Sequence, residues 1–373
     1  MDSLVQYLTL ALLLSGLATA VPSNERRAVT PVVASTTRYG VLDMQGLNRD
    51  SCTSTSWSNN ALWVCRDTQP LSNGLPSLPL VPNTASYSSI PSATTPGDLV
   101  LTSPQGFGNA FFPLESDECP ASGVCSDGSR WVGWPNTAPV VPFSSSTAVN
   151  SYAFIPRQHL SGLSVLADAG TTLYHLLWQG QANTMPTVSV AVSSFWSANQ
   201  VGYGSTAALI HNGFAYLYGP TPSGKLAVAR AALTGFLGDL TSKSVYEYYV
   251  NGAWTTTAPS NTDSTISLAN TVTIQGQIYF SPKWQSFVWI GGDGFPNANF
   301  YISTAPNPEG PWSAHTLFFT GEGGNGSLPA YSAVAHPGLT DGTGNYIFIT
   351  WTKTTASSTG DIYTQPLVRV NWQ

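Results

Sequence analysis

The chain has 373 residues, of which 42% are apolar and 12% aromatic, so a large buried core is possible and global disorder is not expected. Only 9% of the residues are charged and the net charge is −6, which argues against a nucleic-acid partner because no basic block is present to neutralise phosphates. Frequent glycine (34) and proline (27) favour many short strands joined by turns over long helices.

Residues 1–20 have the features of a secretory signal peptide. Leu4 to Leu17 is an apolar run that is too short to span a bilayer, and residues 18–20 have the small-x-small form of a cleavage site. Residues 21–27 end in two arginines and are either a short propeptide with a dibasic processing site or a surface segment. We therefore expect a secreted, extracellular protein with no membrane span, in which residues 28–373 form a single domain.

Beyond the signal, the sequence predicts strands. Short runs of β-branched and aromatic residues alternate with turn residues, and no apolar pattern of period 3.6 is sustained. The chain is therefore expected to be all-β. In chain order, the clearest of these runs are residues 61–68, 171–179, 207–219, 225–231, 277–292, 299–306, 345–353 and 361–370.

A loose internal repeat indicates how these strands are grouped. Residues 205–233 and 272–306 have the same order of three strands and two turns, and each is followed by a segment that closes on tryptophan. Residues 333–370 resemble a further copy without its last strand, and residues 49–68 fit the first two strands of the first copy. Such units predict a β-propeller with room for about five blades. Residues 34–39 would supply the missing strand, and a β-sandwich with long loops is the alternative.

The segment NRDSCTSTSWSNNALWVCRDTQ (residues 48–69) contains an Arg-Asp pair near each end. Asparagine tolerates the left-handed conformation of a tight turn, so we expect a hairpin that turns at residues 58–60. If Cys52 pairs with Cys65, cross-strand partners have numbers that sum to 117 (52 + 65). Asp50 then lies directly opposite Asp67, at a Cα distance of roughly 4.5–5.5 Å.

Two carboxylates in this position would repel each other and raise one pKa, so that the pair could share a proton at mildly acidic pH. Glycoside hydrolysis needs such a pair, and a short separation between the carboxyl groups implies a retaining mechanism. Asp50 and Asp67 are therefore the candidate catalytic residues. The alternative is a cap or turn role, with each aspartate bound to a backbone N–H, to Arg49 or to Arg66. Since each arginine points to the opposite face of its strand, neither is expected to neutralise its own neighbour.

The four cysteines, an even number in an exported chain, predict disulfides. Sequence proximity favours Cys52–Cys65 and Cys119–Cys125 among the three possible pairings. With no CxxC motif and no histidine beside either pair, neither a metal site nor a cofactor is expected. The sequon at Asn325 predicts a surface glycan.

Other residues could contact a ligand. His211 lies beside a tight turn and could face a central funnel and bind substrate, whereas a packed core or turn histidine is the alternative. Four tryptophans could stack on sugar rings, although aromatic residues in propellers mostly pack between blades. They are Trp57, Trp63, Trp131 and Trp134.

Three parts of the chain resemble a known family. They are residues 48–68 (NRD…ALWVCRDT), residues 215–255 (AYLYG…KLAVARA with YEYYVNGAWT) and residues 300–313 (FYISTAPNPEGPWS). In these parts the chain resembles a family of secreted propeller glycosidases whose characterised members are endo-D-arabinanases. The resemblance extends over most of the mature chain. It implies a five-bladed propeller with Asp50 and Asp67 at the central funnel.

The sequence departs from this family at three positions near the aspartates. Ser51, Cys52 and Arg66 stand where the family tends to have glycines. Arg66 is therefore expected to narrow the funnel or change its charge, and to bind substrate.

These features predict a secreted glycoside hydrolase that acts as a monomer on a polysaccharide or oligosaccharide. A furanoside such as arabinan is the substrate that the resemblance implies, and a related furanoside or another wall polysaccharide is equally open. The alternative function is a non-catalytic secreted propeller that binds carbohydrate or another surface.

Overall fold

A computed structural model of the protein describes residues 28–92, 94–103, 107–119, 123–235 and 238–373. These residues form strands and only three single-turn 3-10 helices, so the expected all-β class is confirmed. The predicted signal peptide (1–20) and propeptide (21–27) lie outside the described residues. Within the described part of the chain, no helical segment has the length and apolar character needed to cross a membrane.

Short strands follow one another along the described residues. The first strands are β1 (Val33–Asp43), β2 (Leu47–Arg49), β3 (Thr53–Trp57), β4 (Asn60–Cys65), β5 (Thr68–Ser72), β6 (Leu75–Pro76), β7 (Thr84–Ser88), β8 (Leu99–Val100), β9 (Arg130–Gly133), β10 (Val140–Ser144), β11 (Val149–Ser161), β12 (Ser164–Trp178) and β13 (Thr187–Trp196). The remaining strands are β14 (Ala207–His211), β15 (Phe214–Pro220), β16 (Leu226–Ala232), β17 (Tyr246–Val250), β18 (Ala253–Thr255), β19 (Gly276–Ser281), β20 (Ser286–Gly291), β21 (Asn299–Ala305), β22 (Thr316–Thr320), β23 (Ala330–Ala335), β24 (Tyr346–Ser357), β25 (Gly360–Thr364) and β26 (Pro366–Trp372). The 3-10 helices are Lys243–Val245, Ser264–Ile266 and Pro337–Leu339.

Most strands belong to five sheets that follow one another along the chain. Sheet 1 has the order β3-β4-β7, and sheet 2 has the order β10-β11-β12-β13 with β9 beside β11. Sheet 3 runs from β14 to β18 and sheet 4 from β19 to β22. Sheet 5 has the order β23-β24-β26-β1-β8 with β25 beside β24, and a small additional sheet joins β2, β5 and β6. We call the first strands of the five sheets, β3, β10, β14, β19 and β23, the leading strands.

Sheet 5 contains both ends of the described chain. Strand β1 pairs antiparallel with β26, with Thr36 opposite Val370. Residues 34–39, which the sequence predicts to complete the last copy of the repeat, lie in this strand.

The leading strands lie side by side. Each of β3, β10, β14 and β19 contacts the next leading strand in chain order. The fifth returns to the first through hydrogen bonds between Ser51 and Ser332 and between Ser54 and His336, at 2.7 and 2.8 Å. Because residue numbers rise together in these two pairs, β3 and β23 run in the same direction. A cavity of about 300 Å³ is lined by β3, β10, β14, β19 and the turn after β23.

Five buried apolar clusters lie between successive sheets. Burial of such side chains contributes roughly 1.5–3 kcal/mol each, so these clusters dominate the stability of the fold. Sheet 5 shares a buried apolar cluster with sheet 1, as does every other pair of neighbouring sheets. Representative members are Leu62 and Leu176 for sheets 1 and 2, Phe154 and Leu217 for sheets 2 and 3, Tyr218 and Trp289 for sheets 3 and 4, Phe300 and Trp351 for sheets 4 and 5, and Phe348 and Trp63 for sheets 5 and 1.

The hairpin of β3 and β4 has the predicted register. Thr53 lies opposite Val64, and the same sum of 117 (53 + 64) holds for every pair to the end of the hairpin. The same register continues on the other side of the disulfide, where Leu47 in β2 lies opposite Pro70 in β5. Cys52 is bonded to Cys65, so the cross-link lies in register between the two ladders.

The second disulfide joins Cys119 and Cys125, so both expected pairings are confirmed. Disulfides of this kind are compatible with an extracellular protein.

Replacing both Cys52 and Cys65 by serine is expected to lower the free energy of unfolding by about 3 kcal/mol, because the bond closes a loop of 13 residues in the unfolded chain. Urea denaturation followed by tryptophan fluorescence measures this loss. Cys119→Ser with Cys125→Ser is the matched control, and its loop of 6 residues predicts about 2 kcal/mol. A smaller loss for the Cys52 pair than for the control would contradict this ranking.

Candidate active site

The two aspartates meet where the hairpin passes from the small sheet into sheet 1. Asp50 lies between β2 and β3, and Asp67 lies between β4 and β5. The backbone N–H of Asp50 donates to the carbonyl of Asp67 at 3.2 Å, and the carbonyl of Asp50 accepts from the N–H of Arg66 at 3.0 Å, so Asp50 lies opposite the Arg66–Asp67 step. Their backbones are therefore one strand spacing apart.

A kink at Ser51 separates the two ladders. Ser51 has φ of 51°, in the left-handed region, and its backbone N–H donates to Oγ1 of Thr352 at 2.9 Å. Its hydroxyl contacts that of Ser332. The kink is thus held by sheet 5, and it places Asp50 at the start of the leading strand β3.

Side chains from the two neighbouring sheets bind the acid pair. Oδ2 of Asp50 accepts a hydrogen bond from the Tyr331 hydroxyl at 2.9 Å, and Tyr331 belongs to β23 of sheet 5. Oδ1 of Asp67 accepts from Nε1 of Trp134 at 2.8 Å, and Oδ2 forms an ion pair with Arg130. Each carboxyl group therefore has its own set of partners, one from sheet 5 and one from the sheet 2 side.

The pKa values of both carboxyl groups are raised, and burial is the main cause in each case. Burial, followed by the charge of Asp67, raises the pKa of Asp50 to about 7. Burial also raises the pKa of Asp67, but the charge of Arg130 and the hydrogen bond from Trp134 oppose this shift. The Asp50 carboxyl therefore keeps its proton at mildly acidic pH, while the partners of Asp67 favour its charged form.

The two arginines next to the aspartates behave differently. Arg49 is buried and donates to the hydroxyls of Ser86 and Ser103, away from the acid pair, as expected. Arg66 donates to Asn136, yet its charge lowers the pKa of Asp50. The charge of Arg66 also lowers the pKa of its own neighbour Asp67, which is not expected from the alternation of strand faces.

A second tyrosine approaches the pair from sheet 5. Burial and then the charges of Asp50 and Asp67 raise the pKa of Tyr363, which lies in β25. The backbone N–H of Tyr363 donates to Oδ1 of Asn48 at 2.6 Å, and this contact ties β2 to β25. A buried asparagine beside the first Arg-Asp pair thereby sets the position of Tyr363.

His211 lies at the other end of the leading strands. It is the last residue of β14, and its ring packs on Phe280 and Phe287, at centroid distances of 4.1 and 5.1 Å. Asp50 precedes β3, whereas the last residues of β14 line a cavity together with the later residues of β3, at Ile210 and Ser56. The structure therefore does not bring His211 to Asp50 and Asp67.

The remaining sequence candidates divide between core and surface. Trp57 and Trp63 are buried in the apolar clusters, and Trp131 stacks on His159. Of the four tryptophans considered for sugar stacking, Trp134 is the one that contacts the acid pair. Asn325 is exposed in the loop before β23, and its Oδ1 accepts a hydrogen bond from the backbone of Ala356.

Several residues of the site have no signal in the sequence. Tyr331 is separated from Asp50 by 281 residues, and Arg130 and Trp134 are more than sixty residues from Asp67. The one available hint is that Tyr331 lies at the beginning of the leading strand β23. Within the described residues, no group of three or more His, Cys, Asp or Glu side chains has the arrangement of a metal site.

A model of a known family matches residues 126–366, under the description "domain of unknown function (DUF5005)". The chain belongs to the DUF5005 family. The matched region contains Arg130, Trp134, Tyr331 and Tyr363, whereas Asp50 and Asp67 precede it. No curated protein matches the sequence.

Solved structures with a similar fold include a candidate hydrolase from Bacteroides ovatus, with a TM-score of 0.58 and 16% identity over 88% of this chain and 86% of that chain. A GH43_1 enzyme from Xanthomonas citri in complex with xylotriose has a TM-score of 0.46 and 10% identity, with 88% and 89% of the two chains covered. The α-L-arabinofuranosidase of Podospora anserina in complex with cellotriose has a TM-score of 0.44 and 11% identity, with 92% and 96% covered. The likeness to the Bacteroides ovatus protein establishes a shared fold. Membership of the endo-D-arabinanase family stays a prediction from the sequence.

Asp50→Asn is expected to raise the free energy of unfolding at pH 7, by about 1–3 kcal/mol. The stability associated with the protonated carboxyl is fully present below its unfolded pKa near 4 and is lost as pH rises to about 7, because the unfolded group ionises first. Asparagine keeps the acceptor for Tyr331 without the charge. Urea denaturation at pH 4.5 and pH 7 measures the difference.

The matched control for this experiment is Asp341→Asn. Asp341 is an exposed carboxyl whose Oδ1 accepts from the Thr343 backbone and hydroxyl, and asparagine can keep both bonds. Its stability change should be small at both pH values. An Asp50→Asn protein that is less stable than the wild type at pH 7 would show that Asp50 is not a destabilising buried acid.

Proposed function

We propose that this protein is a secreted glycoside hydrolase that cleaves a polysaccharide with Asp50 and Asp67 as its catalytic carboxyl groups. The observation that carries the proposal is the backbone hydrogen bond that sets these two residues opposite each other in a half-buried site. Like charges opposed on neighbouring strands destabilise a sheet, and perturbed carboxyl pairs cluster at functional sites. The asymmetric partners of the two groups give them different roles.

Asp50 is the general acid of this mechanism. Its raised pKa keeps a proton on the carboxyl at mildly acidic pH, and that proton is transferred to the glycosidic oxygen as the bond to the leaving sugar breaks. Within the described residues, Oδ1 of Asp50 is shielded from solvent and has no hydrogen-bond partner. Delivery of the proton therefore needs a side-chain rotation at Asp50 or Tyr331 when substrate enters.

Asp67 is the nucleophile. Arg130 and Trp134 stabilise its carboxylate, which attacks the anomeric carbon and forms a covalent glycosyl-enzyme. Asp50, now ionised, takes a proton from water, and the resulting attack breaks the ester and returns both groups to their starting states. Two displacements retain the anomeric configuration, and such a mechanism needs carboxyl groups about 5–5.5 Å apart. Backbones that lie one strand spacing apart are compatible with this separation.

The architecture that we infer is a five-bladed β-propeller formed by a single domain of residues 28–373. Its support comes from the five apolar clusters between successive sheets, including the one between sheet 5 and sheet 1. The pairing of β1 with β26 supplies the strand that closes a propeller. In this architecture the acid pair lies at one end of the central channel.

The substrate that we infer is a furanoside polysaccharide such as arabinan. The sequence resemblance to endo-D-arabinanases supports this class, and the half-buried Trp134 beside Asp67 supplies an aromatic surface for a sugar. Arg66, which stands in place of a small residue, lies where it can contact the same sugar. Secretion is supported by the two disulfides and the apolar N-terminal segment, and the exposed Asn325 is assigned as the glycan site.

Two observations favour a second candidate function, which is carbohydrate binding without turnover. Asp67 is paired with Arg130, and one oxygen of Asp50 is shielded from solvent. An ion pair of this kind also occurs in sites that have only a structural role. A binding protein would retain glycan affinity after loss of either carboxyl group.

Hydrolysis separates the two candidates. The purified protein is incubated with arabinan, xylan, galactan and galactomannan, and release of reducing ends is measured between pH 4 and pH 8. Asp50→Asn and Asp67→Asn are expected to lower kcat by about 10³-fold or more, because each removes a group that acts only in the transition state. Asp341→Asn, which changes an exposed carboxyl, should retain the wild-type rate.

Retention of the wild-type rate by Asp67→Asn would overturn the assignment of the nucleophile. Glycan binding without any release of reducing ends would favour the second candidate.

Arg66→Gln is expected to move the alkaline limb of the pH–activity profile to higher pH. The charge of Arg66 lowers the pKa of Asp50, so its removal raises that pKa and keeps the acid protonated over a wider range. The pH dependence of kcat/KM measures the shift. Arg369→Gln is the control, because its guanidinium lies over the ring of Tyr346 outside the site. A shift to lower pH would contradict the assigned role of Asp50.

A further inference from the structure

A cleft of about 390 Å³ lies between sheets 2 and 3 and begins at the candidate active site. Two of its lining residues bind residues of that site, since Trp134 donates to Asp67 and Asn136 accepts from Arg66. The cleft is therefore separated from the acid pair by one layer of side chains. Its volume is at the lower end of the roughly 300–1,000 Å³ typical of small-molecule sites.

The floor of the cleft is formed by backbone that packs closely. Gly170 has φ of 81°, and a Cβ at this position would lie 2.2 Å from the carbonyl oxygen of Trp196. A Cβ at Gly202 would lie 2.5 Å from Oγ1 of Thr171. The absence of side chains at these two glycines lets the loop after β13 lie against β12, and it leaves the cleft open above them.

The walls carry groups suited to hydroxyl recognition. Gln158 and Asn261 contribute side-chain amides, which hold both donors and acceptors, and neither amide forms a side-chain hydrogen bond within the described residues. Asp168 accepts from the backbone N–H of Gly170 at 2.7 Å and is the charged residue among the described lining. An acidic, amide-lined wall accepts hydrogen bonds from neutral hydroxyls and repels anions.

Trp134 connects this cleft to the acid pair. The Arg130 guanidinium lies 5.6 Å from the centre of the Trp134 ring, and the indole N–H is used by Asp67. Its ring therefore has a fixed orientation where it lines the cleft. An aromatic ring held in this way offers a preorganised apolar surface to the C–H face of a sugar.

We propose that the cleft between sheets 2 and 3 is a binding subsite for a neutral glycan chain, adjacent to the Asp50–Asp67 site. The proposal rests on the proposed function, because it assigns the segment of substrate that extends beyond the cleaved bond. The subsite takes uncharged sugar units and disfavours uronic acids. Long oligosaccharides reach it, whereas a disaccharide bound at the acid pair does not.

The test uses the full protein carrying Asp50→Asn, which removes turnover, and isothermal titration calorimetry with an arabinan disaccharide and an arabinan hexasaccharide. Ala198 is exposed and lines the cleft, so Ala198→Trp fills it with an indole. Affinity for the hexasaccharide should fall about tenfold or more, while affinity for the disaccharide stays within about twofold. Gln158→Ala together with Asn261→Ala should weaken the hexasaccharide in the same direction and keeps the assignment testable if the tryptophan variant misfolds.

Ala253→Trp is the matched control, since Ala253 is an exposed alanine in the outer strand β18. Unchanged hexasaccharide affinity in both cleft variants would overturn the subsite, as would a failure of the hexasaccharide to bind more tightly than the disaccharide. These results are independent of hydrolysis. If the cleft variants lose length-dependent binding but the wild-type protein releases no reducing ends, the subsite is supported and only the hydrolase proposal is rejected. If the wild-type protein hydrolyses the glycan but the cleft variants bind it unaltered, only the subsite is rejected.

A second experiment tests the role of the Asp168 charge in the cleft. Asp168→Asn should improve binding of a galacturonan hexasaccharide about threefold or more relative to the arabinan hexasaccharide, because it removes the repulsion of a uronate. An equal effect on both sugars, or tighter binding of galacturonan than of arabinan by the unmodified cleft, would overturn the preference for neutral chains.

Discussion

Each neighbouring pair of the five sheets shares a buried apolar cluster, and this packing decides which polar side chains meet. The clusters hold sheets 5 and 2 on either side of sheet 1. Tyr331 and Arg130 can therefore reach the two aspartates from opposite directions. Because protein cores are close-packed, a shift of either sheet would separate a carboxyl group from its partner. The electrostatics of the site consequently depend on packing contacts that lie far from it.

The site places two carboxyl groups that repel each other beside neutral and cationic groups that offset the repulsion. The Asp50–Asp67 pair is unfavourable by itself, and the fold tolerates it through a hydroxyl on one carboxyl and a guanidinium and an indole on the other. This asymmetry separates an acid from a carboxylate in the proposed mechanism, as in enzymes that place two carboxyl groups in different environments. Trp134 has a further role, since it also borders the cleft between sheets 2 and 3.

Much of the local geometry could be predicted because it depends on neighbours in sequence. The cross-strand register follows from one pair of cysteines and a turn, and a side-chain period of two then places Asp50 opposite Asp67. The partners could not be predicted in this way. His211 is an example, since its strand was recognisable but its distance from the aspartates depends on how the sheets pack side by side.

The all-β class could be predicted from the sequence alone. The two disulfide pairings are favoured among three, and the hairpin register and the placement of Asp50 near Asp67 are predicted on the condition that Cys52 pairs with Cys65. Each of these follows from short-range patterns of alternation, turns and cysteine spacing. The approach of Tyr331, Tyr363, Arg130 and Trp134 to the pair, and the cleft beside Trp134, depend on tertiary packing. These contacts form between sheets, where buried area and shape select the neighbours, and no period in the sequence indicates which residues will touch.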